Sequence, residues 1–287
     1  MDRARNIRFA FFGSSRLSAI VLDELEKVGF MPACIVTTDD KPKGRSLEIT
    51  PNVVKEWAIR KNIPLRDRAS LNASDGDVFI VASYGKIIPK SIIDMPKNKT
   101  LNIHPSLLPK YRGPSPLPTA MLDDAKNTGV TIMRLDEEMD HGPIVAQEEV
   151  IVDEWPTYED FEEIMARKGA RLLARVLPDW VAGKIVEKPQ DHSLATYTKK
   201  IVKEDGLVDP ADLATGAPRE KAYDLFRKIQ AFHQWPQAYF FAERGGKDIR
   251  VKIISAAFKD GGLVIEKVVP EGKKEMTYEA FLHGQRS

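Results

Sequence analysis

Between residues 7 and 181, short apolar runs alternate with segments whose apolar positions recur every three or four residues. Residues 7–12 (IRFAFF) break at Gly13-Ser14-Ser15, after which Leu17, Ile20, Val21 and Leu25 repeat at helical spacing; this predicts strand, turn and helix. Residues 31–37 and 78–82 read as further strands, 51–60 as a helix with proline in its first turn, and 89–93 as a short helix. A strand at 100–103, a helix at 117–124 and strands at 129–134 and 143–152 follow. Residues 158–181 then form a long amphipathic helix with Phe161, Ile164, Leu172, Leu173 and Val176 on its apolar side. Such alternation predicts an α/β fold, a Rossmann-like and mostly parallel sheet covered on both faces. Ligands on such sheets sit at the carboxyl ends of the strands.

The grammar then changes. Residues 183–206 lose their period and become polar, as a linker does. Beyond them a helix at 223–232 precedes strand-like runs at 238–242, 249–257 and 263–269, separated by Gly-rich turns, which predicts a small antiparallel barrel or sandwich. The expected organisation is a catalytic domain over 1–183, a linker over 184–206 and a second domain over 207–287. One polar loop stands out earlier, TTDDKPKGRSLEI, with Lys41, Lys43 and Arg45 around a single glycine. It reads either as a solvated loop or as a basic finger that touches phosphates.

Composition narrows the class without fixing the function. The 287 residues are 43% hydrophobic and 30% charged, as in ordinary globular proteins. A formal charge of +1 means that any nucleic-acid contact must rest on local patches. The single cysteine, Cys34, excludes an intramolecular disulfide and Cys-based zinc motifs. No apolar run approaches the ~18 residues of a membrane span. The N-terminus passes so soon into residues 7–12 that no signal or transit peptide is expected, and the cytoplasm is the expected compartment.

Candidate chemistry gathers in the stretch TLNIHPSLLPKYRGPSP, residues 100–116. In an extended chain residues two apart share a face, so Asn102 and His104 point the same way at a strand end. An amide and an imidazole so placed can donate to one oxygen, which is what a developing oxyanion needs. The loop LDEEMDHG at 135–142 follows the next strand and brings Asp140 within reach of His104 as an orienting carboxylate. Neither Ser106 nor Cys34 lies in a nucleophile turn. Direct attack on a bound carbonyl by the substrate's own nucleophile is therefore the simplest chemistry. One histidine in this region, with no second at H-x-x-x-H spacing, argues against a metal site. A lone glycine after the first strand argues against dinucleotide binding, and no P-loop occurs. His141 is expected to point away from the site, and His192, His233 and His283 to be surface or linker residues.

These residues also carry a resemblance. LNIHPSLLPKYRGPSP and TGVTIMRLDEEMDHGPI closely resemble the 10-formyltetrahydrofolate-dependent formyltransferases. FFGSS, KPKGR, SYGKIIP, ATYTKKIVKEDG, AFHQWPQAY and the closing MTYEAFLHG match in order over nearly the whole chain. The ATYTKKIVKEDG and FLHG segments resemble the tRNA-directed branch. This resemblance implies that Asn102, His104 and Asp140 are the catalytic trio. It implies that Ser106, Leu107, Leu108 and Pro109 bind the folate, 10-formyltetrahydrofolate, with Ile88 and the loop from Asp136 flanking the pterin. It assigns Lys41, Lys43 and Arg45 to the acceptor stem of initiator methionyl-tRNA, makes the C-terminal part an OB-like tRNA-binding barrel, and implies a monomer without metal. Two departures are visible. The family has G-T-P where Gly13-Ser14-Ser15 stands, and an extra strand pair between Ile254 and Val264, so the barrel is expected to be shortened. A sugar-nucleotide N-formyltransferase and a non-catalytic tRNA-binding relative are the alternative readings.

Overall fold

A computed structural model of the protein describes residues 7–43, 48–213 and 218–284. It forms two compact units. One is Met1–Pro116 with Asn127–Ile151 and Glu162–Thr198; the other is Leu117–Lys126 with Val152–Phe161 and Lys199–Ser287. Residues 184–198 of the expected linker thus pack with the first unit.

In chain order the first unit carries β1 (Phe9–Phe12), α1 (Arg16–Lys27), β2 (Cys34–Val36), β3 (Lys41–Lys43), β4 (Glu48–Thr50), α2 (Val53–Arg60), β5 (Leu65–Arg66), β6 (Val78–Val81), α3 (Lys90–Ile93) and β7 (Thr100–His104). After α4 (Pro116–Leu122), which from Leu117 on belongs to the second unit, come β8 (Asn127–Arg134), β9 (Ile144–Ile151) and α5 (Tyr158–Val181), the last in the first unit from Glu162 onward. The sheet order is β5-β2-β1-β6-β7-β8-β9. The first five strands are parallel; β8 and β9 run antiparallel at the edge. Residues 135–143 between β8 and β9 are too few for the crossover of about a dozen or more residues that parallel neighbours need. The basic stretch read as a loop includes a short ladder, with Lys41 opposite Thr50 and Lys43 opposite Glu48.

β1 is buried at every position, as a strand covered on both faces must be. Phe12 packs on Phe79 and Tyr84 at ring separations of 5.5 and 5.6 Å, in a cluster with Ala10, Cys34, Val36 and Ile92. The Gly13-Ser14-Ser15 turn is built for its position between β1 and β6. Ser15 caps α1 by accepting from Ser18 N, Ser18 Oγ donates to Ala82 O at 2.6 Å, and Ser14 Oγ donates to Tyr84 O at 2.9 Å. A Cβ on Gly13 would fall 2.6 Å from the Ser18 Cβ, so the turn closes only on glycine.

Burial pushes the Cys34 thiol up to about 11, far above neutral pH, and the thiolate is the reactive form. In native protein Cys34 should therefore resist a thiol reagent and react fully in denaturant; rapid stoichiometric labelling under native conditions would contradict this burial.

The second unit holds α6 (Arg219–Ala231), β10 (Tyr239–Arg244), β11 (Lys247–Lys259), β12 (Gly262–Pro270), β13 (Met276–Thr277) and α7 (Tyr278–His283). Its strands form one antiparallel sheet in chain order around Leu225, Ile229, Phe240, Val251, Ile253, Val268 and Phe281. β11 turns directly into β12 through Asp260 and Gly261, at φ 52° and 76°, the two positive angles that a tight hairpin requires. This turn lies between Ile254 and Val264, the segment in which the resemblance led to the expectation of a missing strand pair.

Candidate active site

β7 alternates Leu101 and Ile103 on one face with Asn102 and His104 on the other. Helix α5 covers the first face: a Cβ on Gly169 would lie 2.5 Å from Ile103 Cγ2, so glycine lets the helix close on the strand. Asn102 and His104 are themselves only 8% and 4% exposed. Buried polar groups need partners, and here loops supply them.

The loop after β7 places Tyr111 O 3.0 Å from His104 Nε2. A carbonyl can only accept, so Nε2 carries a proton in this contact. Asp140 Oδ1 lies 3.5 Å from both His104 Nδ1 and Asn102 Nδ2, and its Oδ2 accepts from Gly113 N at 2.8 Å. Asp140 sits at φ 50° and Tyr111 at φ 60°, a region uncommon outside glycine. Asn102, His104 and Asp140 thus form one cluster, but not by the route the sequence reading took. Because β8 is antiparallel to β7, Arg134 at its end pairs with Leu101 and Leu135 N donates to Thr100 O at 2.8 Å. The loop therefore leaves at the amino end of β7 and doubles back along the strand to bring Asp140 to His104.

The residues expected at the folate are held as a clamped loop. Ser106 is buried and its hydroxyl donates to Lys110 O at 2.7 Å. Thr131 Oγ1 donates to Ser106 O and accepts from Leu108 N, at 2.7 and 3.1 Å. Gln147 Nε2 donates to Leu108 O at 2.8 Å and to Thr131 Oγ1 at 2.9 Å. Leu107 lies against Gly129, where a Cβ would approach its Cδ2 to 2.6 Å, while Leu108 is buried and Pro109 half-buried. The Ser106 hydroxyl closes the loop on itself, and the Ser106 and Leu108 peptide groups hold it to β8 and β9.

Asp136 orders its own loop, with Oδ2 2.7 Å from His141 Nδ1 and Oδ1 accepting from Glu138 N at 3.0 Å. The His141 ring stacks on His192 at 4.1 Å. Ile88 packs with Leu135 against the Phe12 cluster. Lys41 and Lys43 lie on β3, and Arg45 falls outside the described residues.

Sequence reasoning missed the residues that support the cluster. Arg112, 1% exposed, donates through Nε and a terminal nitrogen to Gln190 Oε1 at 3.1 and 2.6 Å. Gln190 Nε2 in turn donates to Asp140 O at 2.9 Å and Gly142 O at 2.7 Å. The backbone of Arg112 bonds to Thr196 and Thr198. Gln190 lay in the polar, periodless stretch, and a buried glutamine has no spacing to announce it. Thr131 did leave a signal, a hydroxyl inside an otherwise apolar run. Among the described residues no group of three or more His, Cys, Asp or Glu side chains could hold a metal ion.

A profile of the Formyl transferase family matches residues 5–177. The chain is 38% identical over 275 residues to the methionyl-tRNA formyltransferase of Chloroflexus aggregans, covering 90% of this chain and 85% of that protein. It is 33% identical over 308 residues to that of Methylacidiphilum infernorum, covering 96% and 92%. Two solved structures share the fold. The methionyl-tRNA formyltransferase from Clostridium thermocellum matches with TM-score 0.60 and 16% identity over 92% of this chain and 98% of that one. The N-formyltransferase from Helicobacter canadensis, solved with folinic acid and dTDP-3-aminofucose, gives 0.63 and 18% over 88% and 89%. At such identities these two speak for the fold alone. The sequence matches go further: the chain belongs to the formyl transferase family, among its methionyl-tRNA formyltransferases.

Proposed function

We propose that the protein transfers the formyl group of 10-formyltetrahydrofolate to the α-amino group of methionine esterified to initiator tRNA. The observation that carries this reading, within the family just established, is the convergence of the buried Asn102 amide and His104 imidazole on Asp140 Oδ1. Asn102 Nδ2 and His104 Nδ1 both stand 3.5 Å from that oxygen, about half an ångström beyond a relaxed hydrogen bond. A formyl oxygen entering between them would accept shorter bonds from Asn102 Nδ2 and, because Nε2 already donates to Tyr111 O, from Nδ1 of the doubly protonated imidazolium. The amine nitrogen attacks the formyl carbon, and the carbonyl π pair moves onto the oxygen, where the two donors hold it. Asp140 receives the proton from the amine, directly or through water. Collapse of the tetrahedral species breaks the bond to N10, which leaves as the amine of tetrahydrofolate after taking up a proton.

In this reading Ser106 to Pro109 present the donor, with Ile88 and Asp136 beside the pterin, and Lys41, Lys43 and Arg45 meet phosphates of the acceptor stem. No described helix is long and apolar enough to cross a membrane, and we place the enzyme in the cytoplasm as a monomer. The test is a formylation assay at fixed salt with initiator methionyl-tRNA, elongator methionyl-tRNA and an amino-sugar nucleotide as acceptors. Initiator methionyl-tRNA is expected to be the preferred acceptor. Turnover of the amino sugar without turnover of methionyl-tRNA would remove the acceptor assignment. Alanine at Lys41, Lys43 and Arg45 together should raise KM for tRNA by about tenfold or more near 150 mM salt and leave donor binding alone; unchanged tRNA kinetics would dismiss the phosphate role.

A further inference from the structure

We infer that Gln190 is a positioning residue for formyl transfer, holding Asp140 in the backbone conformation that turns its carboxylate to Asn102 and His104. The inference rests on the function proposed above for the Asn102, His104 and Asp140 cluster.

The orientation of the Gln190 amide follows from its neighbours. Arg112 has donors and no acceptor, so the atom receiving both of its bonds must be the amide oxygen. The two amide protons then face the other way, where two carbonyl oxygens stand, those of Asp140 and Gly142. Donors and acceptors match one for one, so a flipped amide would put nitrogen against guanidinium and oxygen against carbonyls. Arg112 is itself fixed by further contacts to the Tyr197 hydroxyl at 3.3 Å and His192 Nδ1 at 2.9 Å. The chain of contacts therefore runs from His192 and Tyr197 through one buried guanidinium and the Gln190 amide to the backbone on either side of His141.

That backbone needs holding. Asp140 occupies φ 50°, which an L residue keeps only when its surroundings impose it. Its carboxylate is restrained by Gly113 N and its carbonyl by Gln190. Without the second restraint the peptide can relax toward an extended form, swinging Oδ1 away from Asn102 and His104. The side-chain hydrogen bonds of Gln190 run to Arg112, Asp140 O and Gly142 O, so it acts on Asn102 and His104 through Asp140.

Two substitutions separate holding Arg112 from holding Asp140. Gln190→Glu still accepts from Arg112 but offers no donor to the two carbonyls; Gln190→Met, of similar size, does neither. With both, kcat is expected to fall about 10- to 100-fold, the cost of misplacing a reacting group by about an ångström. KM for the folate donor should stay within about twofold. A double-mutant cycle with Asp140→Asn, read by single-turnover kinetics, decides the route. If Gln190 acts through Asp140, the double variant is no slower than Asp140→Asn alone, within about twofold. Multiplying losses would overturn the inference, as would wild-type kcat in Gln190→Glu. Should that variant fail to fold, Gln190→Met goes through the same cycle. The cycle uses whichever acceptor the wild-type enzyme formylates. A wrong acceptor assignment then shows in the wild-type protein, and a wrong role for Gln190 shows in the cycle.

Discussion

Replacing His104 with alanine should lower kcat for formyl transfer by about 10²- to 10³-fold, the usual cost of removing one donor from a developing oxyanion, about 2.7 to 4 kcal/mol. The loss is expected in kcat because the interaction gains strength only as charge builds on the formyl oxygen. Donor affinity, measured by equilibrium binding of a non-transferable folate analogue, should change little. The residue is buried between Tyr111 O and Asp140 Oδ1, so alanine also takes the imidazole donor from Tyr111 O, and a melting curve must accompany the kinetics. A folded His104→Ala protein with wild-type turnover would remove the imidazole from the mechanism. A folded variant that binds methionyl-tRNA but has lost turnover excludes the reading of the chain as a non-catalytic tRNA-binding relative.

Gly142→Ala is the second substitution from which a large effect is expected, and it touches no reacting atom. A Cβ at this position would lie 1.9 Å from Arg134 O and 3.1 Å from Arg134 C. Both are backbone atoms at the end of a strand, so no side chain can turn aside to make room. Relief must come from the 135–143 loop itself, which carries Asp140 and whose Gly142 O accepts from Gln190. Overpacking of this kind costs about 1–3 kcal/mol, or a few degrees of melting temperature in a protein of this size. The loss of turnover should be out of proportion to that. Gly183→Ala is the contrast: it has φ 68° but nothing within 4 Å of a Cβ, so it should cost about 1 kcal/mol of backbone strain and leave kcat intact. Equal effects on turnover from the two glycines would show that Gly142 matters for stability alone.

Much of the first unit could be read from spacing. The long helix predicted over 158–181 is α5 with the same bounds, because a long amphipathic period leaves little ambiguity. Asn102 and His104 were legible because a two-residue interval in a strand fixes a common face. Asp140 was legible as a candidate, but its route was not, since the antiparallel turn of β8 depends on sheet pairing. The ladder of β3 and β4 was hidden by its composition: KPK is a poor strand signal. Gln190, Arg112 and Thr198 were invisible in their roles because polar residues in an aperiodic segment look solvated until the fold buries them.

The contacts that assemble the cluster join residues far apart along the chain. Asn102 and Asp140 are separated by 38 positions, Asp140 and Gln190 by 50, and Arg112 and Gln190 by 78. Each contact therefore closes a long loop whose entropy opposes it, and each has at least one partner, Asp140, Gln190 or Arg112, in a connecting segment rather than in the strand ladder. Such segments can open while the core strands stay shut. On warming, the enzyme should lose its turnover before its sheet, and stabilising β1, β6 or the face of α5 alone would raise the melting temperature without extending the working range.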